Sequence, residues 1–200
     1  MISTLGISAA QRDLAAIADS LREITVGVHV PGDRRAGEGA GVIWHAEGLV
    51  VTNAHCIRHR RVAVRTASGQ TLDADVIAHH PRLDLALLGV AGLRGRVPEM
   101  ADVESLRAGE LLLAFGHPLG VPGALALGVL HAVARDPRSG SARWICADIR
   151  LAPGNSGGPL ADAAGRVVGI NTMIAGGLGL AIPTPVVQRF VTRVRPALAA

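Results

Sequence analysis

Residues 153–160 read PGNSGGPL, a single hydroxyl, Ser156, set among three glycines, two prolines and an asparagine. Glycine serves where φ must be positive or where something must approach the backbone closely. A serine hydroxyl is a poor nucleophile until a neighbour takes its proton. The best base in the chain is His55, in VVTNAHC, where an apolar strand and a Thr-Asn-Ala turn would hold the imidazole at an edge. A base of this kind needs a carboxylate to fix its tautomer and stabilise its cation. Asp84 fits, because it lies between Leu83 and Leu85 at the head of an apolar run, where an acid is costly unless paired. In acyl transfer the attacked carbonyl oxygen becomes negative, and two backbone N–H groups can stabilise it. Gly154 and Ser156 can supply them. Each residue also has a plainer reading. Ser156 could sit in a Gly-Pro turn, Asp84 could simply start a strand, and His55 is one of eight histidines.

The elements that must position these residues are mostly short apolar strands. GVIWH, GLVVTNA, RVAVRTA, TLDADVIAHH and DLALLGV follow one another at close intervals, punctuated by Gly, Pro, Asn and Asp. Such spacing predicts a sandwich or barrel. A second set follows: ELLLAFG, ALALGVLHAVA, RWICADIRL, PLADAAGRVVGINTM and GLGLAIP. The polar stretch between the sets, VAGLRGRVPEMADVESLRAGE, reads as a crossover between two similar lobes. Residues 9–23 place Leu14, Ile17, Ala18 and Leu21 on one helical face, and residues 184–195 do the same with Val186, Val187, Phe190 and Val194. PGDRRAGEGAG, ahead of the first set, reads as a polar loop or hairpin tip. The division is therefore one domain over 1–200, with lobes at about 24–97 and 98–183 and a closing helix.

Composition narrows the function. About half of the 200 residues are apolar, enough for a large core, yet there are only two Phe, two Trp and no Tyr. The net charge is +4 and the arginines are scattered, apart from RHRR at 58–61. Nucleic-acid binding favours a basic stripe with stacking aromatics, so no nucleic-acid partner is expected. Cys56 and Cys146 form neither a disulfide framework nor a zinc-ligand spacing. His55 and His59 have the spacing of a metal pair without an evident third ligand, so no metal and no cofactor is expected. His79, His80 and His117 are placed in turns near the proposed cleft. The N-terminus lacks the pattern of a secretory signal, and no apolar run reads as a membrane span. As it stands, the chain reads as cytoplasmic.

TNAHC, LDLALL and PGNSGGPL, in that order, resemble the trypsin-like serine proteases, which share the order His, Asp, Ser. Within them the chain is most similar to the HtrA (Deg) proteases. GEGAGVIWHAEGLVVTNAHCI resembles their segment leading to the histidine, FGHPLG their Gly-Asn-Pro loop, and ADIRLAPGNSGGPL their serine segment. GRVVGINTM and GLGLAIP resemble the strands behind their specificity pocket. The likeness covers residues 24–190 or so and the protease part only, without a PDZ domain.

The resemblance implies an all-β fold of two six-stranded antiparallel barrels with the site between them, here flanked by short terminal helices. It implies hydrolysis of peptide bonds through an acyl-enzyme, with His55 as base, Asp84 as orienter, Ser156 as nucleophile, and Gly154 and Ser156 as oxyanion donors. Polypeptides are the implied partners, and the homotrimer common in the family stays open. Asn155 stands where digestive members carry Asp, so activation by a new N-terminus is not expected. Cys56 has the place of a bridged cysteine, but its partner position falls near Ala40, so no bridge is expected. For the pocket, Leu151, Ile170 and Asn171 are the candidate walls. Asp148 reads as structural, and Arg150 would repel basic side chains if it faced the pocket. Small or medium aliphatic residues are then preferred before the scissile bond. Two other functions remain open: a non-catalytic module that binds peptides in the same cleft, and an esterase-type acyl hydrolase.

Overall fold

A computed structural model describes residues 4–29, 39–59, 61–118 and 123–194. Of the loop expected over 31–41, residues 31–38 lie outside the described residues, as do the end of FGHPLG and Arg60 of the basic run, while Gly39–Gly41 already belong to a strand. Twelve strands form two closed antiparallel barrels. The first comprises β1 (Thr25–His29), β2 (Gly39–His45), β3 (Leu49–Thr52), β4 (Val62–Arg65), β5 (Thr71–His80) and β6 (Leu85–Gly89). The second comprises β7 (Leu111–Gly116), β8 (Ala124–Arg135), β9 (Ala142–Asp148), β10 (Pro159–Asp162), β11 (Val167–Ala175) and β12 (Leu178–Pro183).

Around the first barrel the order is β1-β2-β3-β6-β5-β4. Read from β7, the second runs β7-β8-β9-β12-β11-β10, the same path. Closure leaves no full-length edge exposed and encloses a core in each barrel. Val26, Val28, Val50, Val64 and Leu88 fill the first, and Leu112, Leu130, Ile145, Leu160 and Val168 the second. With so few aromatic rings, β-branched and leucine side chains do this packing, as their strand preference suits.

The helices cap the barrels. The N-terminal helix α1 (Thr4–Ile24) is longer than residues 9–23, and its predicted face packs against Leu113 and Phe115 of β7. The C-terminal helix α2 (Thr184–Val194) seats Val187, Phe190 and Val191 in a third cluster with Trp44, Val51, Leu85, Leu87, Ile170 and Ile182. That cluster draws on both barrels, so α2 clamps their seam. His79 and His80 close strand β5 rather than sitting in a turn. Both cysteines are free thiols. Position 39 faces Cys56 so closely that a side-chain Cβ there would lie 2.7 Å from its sulfur, and the residue present is glycine. Among the described residues, no helix is long and apolar enough to cross a membrane.

Candidate active site

His55 lies in a 3-10 turn, Ala54–Cys56, directly after β3. Asp84 ends the turn that leads from β5 into β6, its amide donating to the Pro81 carbonyl. Its φ is +53°, the one positive value among the described non-glycine residues. Asp tolerates this left-handed region better than most side chains because its short polar group bonds locally. The conformation turns the carboxylate back toward β3. There His55 Nδ1 lies 3.0 and 2.8 Å from the two Asp84 oxygens, and the His55 amide donates to Oδ1 at 3.1 Å. Asn53 donates its side-chain amide to the Asp84 carbonyl at 3.0 Å, fixing the backbone from the other side.

A fourth residue completes the arrangement. Thr172 of β11 donates its hydroxyl to Asp84 Oδ2 at 2.5 Å. Sequence reasoning missed it. Its only signal was its place one residue beyond Asn171, in the strand after the serine segment.

The electrostatics follow from these contacts. The Asp84 hydrogen bond, helped by the Cys56 thiol, raises the His55 pKa from 6.5 to about 10 against the opposing pull of burial. Burial pushes Asp84 upward, but bonds from the His55 ring, the Thr172 hydroxyl and the His55 amide together outweigh it, leaving the carboxyl below its usual value. The pair therefore favours imidazolium and carboxylate.

Ser156 arrives from the second barrel. The turn Ala152–Asn155 closes with the Asn155 amide donating to the Ala152 carbonyl at 2.9 Å. Pro153 has its φ fixed near −65°, and Gly154 has φ +103°. Negative then positive φ at the two central positions defines a type II turn. In a type I turn the Pro153–Gly154 peptide would be inverted. The Gly154 carbonyl accepts from the His117 amide at 3.0 Å. Among the described residues, neither the Gly154 N–H nor the Ser156 N–H has an internal acceptor.

The nucleophile loop is pinned to the first barrel. The Ser156 carbonyl accepts from the Ala40 amide at 2.8 Å, and the Ala40 carbonyl accepts from the Thr52 hydroxyl at 2.6 Å. At Gly157, with φ +84°, a Cβ would fall 2.0 Å from the Ala40 carbonyl oxygen. Only glycine lets the barrels approach this closely.

The Ser156 hydroxyl donates to the Thr172 carbonyl at 3.1 Å. It therefore shares a partner residue with Asp84 but does not point its proton at His55. Both His55 and Ser156 line one cavity of about 300 Å³, whose apolar walls come from Leu151, Pro153, Met173 and Ile174. Leu151 is thus in the cavity, and Arg150 is exposed outside its lining.

Ile170 and Asn171 are not in that lining. Ile170 is fully buried in the cluster under α2, and Asn171 spends its side-chain amide on the Pro159 carbonyl at 2.8 Å. The wall is carried further along β11, by Thr172 to Ile174. A register shift between Asn171 and Met173 breaks the simple alternation that sequence reading assumes.

Residues 39–170 match the trypsin-like peptidase domain. The chain belongs to that family. The peptidase domain is also 35% identical over 167 residues to the putative serine protease HhoB of Synechocystis sp., covering 79% of this chain and 40% of that protein. It is 35% identical over 193 residues to a probable periplasmic serine endoprotease, DegP-like, of Pseudomonas fluorescens, covering 90% of this chain and 40% of that protein. Serine protease HTRA1 of Xenopus laevis is 33% identical over 165 residues, covering 78% and 36%. The solved HtrA-type protease AlgW, with a tripeptide, superposes with a TM-score of 0.79 at 28% identity, covering 90% of this chain and 62% of that one. The peptidase domain thus spans 40% or less of the length of these three curated relatives.

Proposed function

We propose that the chain is a serine endopeptidase in which His55, Asp84 and Ser156 act as one unit on extended polypeptide segments. The observation that carries this reading is the convergence of His55, held by Asp84 in the first barrel, and Ser156 of the second on one apolar cavity, with two amides beside the hydroxyl that have no acceptor among the described residues.

The steps follow from the geometry. A substrate strand laid beside Thr172–Ile174 presents an N–H that competes for the Thr172 carbonyl. Ser156 then loses its resting acceptor, and rotation about its Cα–Cβ bond brings the hydroxyl to Nε2 of His55 in its neutral form, the form that accepts a proton. As Oγ attacks the carbonyl carbon, Nε2 takes the proton, and Asp84 stabilises the imidazolium. The substrate oxygen becomes an oxyanion held by the Gly154 and Ser156 N–H groups. The intermediate collapses, the C–N bond breaks, and the imidazolium returns its proton to the leaving amine. Water, activated by the same imidazole, hydrolyses the acyl-enzyme and restores Ser156.

The apolar walls support small and medium aliphatic residues, such as Val, Ala or Leu, before the scissile bond. Leu151 sets the depth, so Leu151→Ala is expected to shift the kcat/KM ratio of Phe over Val peptides about tenfold toward Phe. That is the scale of one or two methylenes in an apolar pocket. Measuring both peptides with each protein checks it, and an unchanged ratio removes Leu151 from the pocket.

The whole reading is tested by incubating the native chain with a fluorophosphonate and mapping the adduct by mass spectrometry. The expected result is one adduct, on Ser156, lost on prior thermal unfolding, together with cleavage of casein. Turnover of simple esters without casein cleavage would favour an acyl hydrolase, and no adduct with retained peptide binding a non-catalytic module.

A further inference from the structure

We propose that the seam beside α2, on a face separate from the cleft, is a docking groove for an acidic, amphipathic polypeptide segment in extended conformation. Two cavities of about 320 and 340 Å³ share Leu83, Val186 and Arg189 in their linings and so form one groove. Its floor is apolar, with Ile182 and Phe190 buried and Leu83, Trp144 and Val186 half-buried.

Its rim is basic. Arg82, Arg143, Arg189 and Arg193 line the groove, and all four are exposed. Four arginines elsewhere meet acids: Arg22 pairs with Asp19, Arg96 with Glu23, Arg135 with Glu104 and Arg166 with Asp162. Among the described residues, none of the four rim guanidiniums forms such an ion pair. The only carboxylate in either lining, Asp136, accepts from the amides of Arg138 and Ser139 and the Ser139 hydroxyl, and feels Arg143 only at longer range. The histidines there are occupied, His79 with the Ala54 carbonyl and His80 with the Leu83 amide.

Exposed, uncompensated guanidiniums around an apolar floor select carboxylates on an apolar ligand. Arg189 and Arg193 stand one helical turn apart, about 5–6 Å. Alternate residues of an extended peptide repeat at roughly 6.8 Å and put acids on one face and apolar side chains on the other. A strand alternating acidic and apolar residues therefore matches both rim and floor. The floor disfavours a bare phosphate polymer, which has nothing to bury there.

The groove also crosses the seam. Leu83 adjoins Asp84 in the first barrel, while Trp144 and Ile182 belong to the second. An occupant would tie together the barrels that carry the two halves of the site.

The test uses the Ser156→Ala chain, so that no peptide is cut and the outcome does not depend on the catalytic reading. A fluorescein-labelled dodecapeptide alternating Glu with Val and Leu is titrated by anisotropy, beside a version with Lys for Glu. The Glu peptide is expected to bind with micromolar affinity, at least tenfold tighter than the Lys peptide. Arg189→Ala with Arg193→Ala should weaken it at least tenfold, whereas Met173→Arg in the cleft should change it less than twofold. Trp144 emission should shift on binding, and the thermal midpoint should rise. Equal affinity for both peptides, or loss with Met173→Arg but not with the arginine pair, overturns the proposal. So does heparin binding without peptide binding, which would make the rim a polyanion site.

Discussion

Asp84→Asn is expected to lower kcat by about four orders of magnitude, the scale found when the orienting acid of such a unit becomes an amide. In the native site the carboxylate accepts from His55 Nδ1, so that once the imidazole is neutral Nε2 is the nitrogen that receives a proton. An asparagine offers its NH₂ to Nδ1 or to Thr172, which turns the imidazole toward the wrong tautomer and removes the negative charge that stabilises its cation. The pH profile carries the same signature with a defined sign. Only neutral imidazole accepts a proton, so activity rises with pH through the His55 pKa. Because Asp84 raises that pKa toward 10, the acid limb of kcat/KM should have its midpoint on the alkaline side of 6.5. In the Asn variant the limb should move to lower pH while the plateau falls. A variant that loses activity with an unmoved limb would show that Asp84 shapes the fold without governing the base. Chromogenic peptide turnover across pH provides both readouts.

Gly154→Ala is expected to reduce kcat by about 10²- to 10³-fold, the cost of one oxyanion donor. Gly154 holds φ +103°, and a Cβ there would lie 2.2 Å from the His117 carbonyl oxygen. Alanine cannot stay in that conformation cheaply. The four-residue turn has a second form, type I, which alanine accepts and which keeps the bond from Asn155 to Ala152. In that form the Pro153–Gly154 peptide is inverted and its N–H leaves the cleft. The protein should therefore remain folded, with KM for peptides little changed, while a boronate that mimics the tetrahedral state loses affinity in step with kcat. Parallel loss of thermal stability and of substrate binding would instead mean that the residue serves the loop alone.

The legible parts of this molecule were those where chemistry compels a residue type locally. Ser156 with its glycines, His55 after its strand and Asp84 before its own are short motifs, and their meeting in space required only that the lobes exist. The short alternating strands and the two amphipathic helices were legible for the same reason, since each periodicity is local. What escaped was long-range or phase-dependent. Thr172 carries no motif, and becomes visible only when β11 passes beneath Asp84. Ile170 and Asn171 fall outside the cavity lining, because the register of β11 shifts just beyond them and the lining passes to Thr172, Met173 and Ile174. The groove beside α2 joins residues from four separate elements, and no window of sequence contains it.

The bond from the Ala40 amide to the Ser156 carbonyl joins the nucleophile to a strand of the opposite barrel. One proton thereby becomes a gauge of that junction. Its replacement by deuterium requires this bond to open, so its lifetime in heavy water counts how often the nucleophile loop lets go of the opposite barrel.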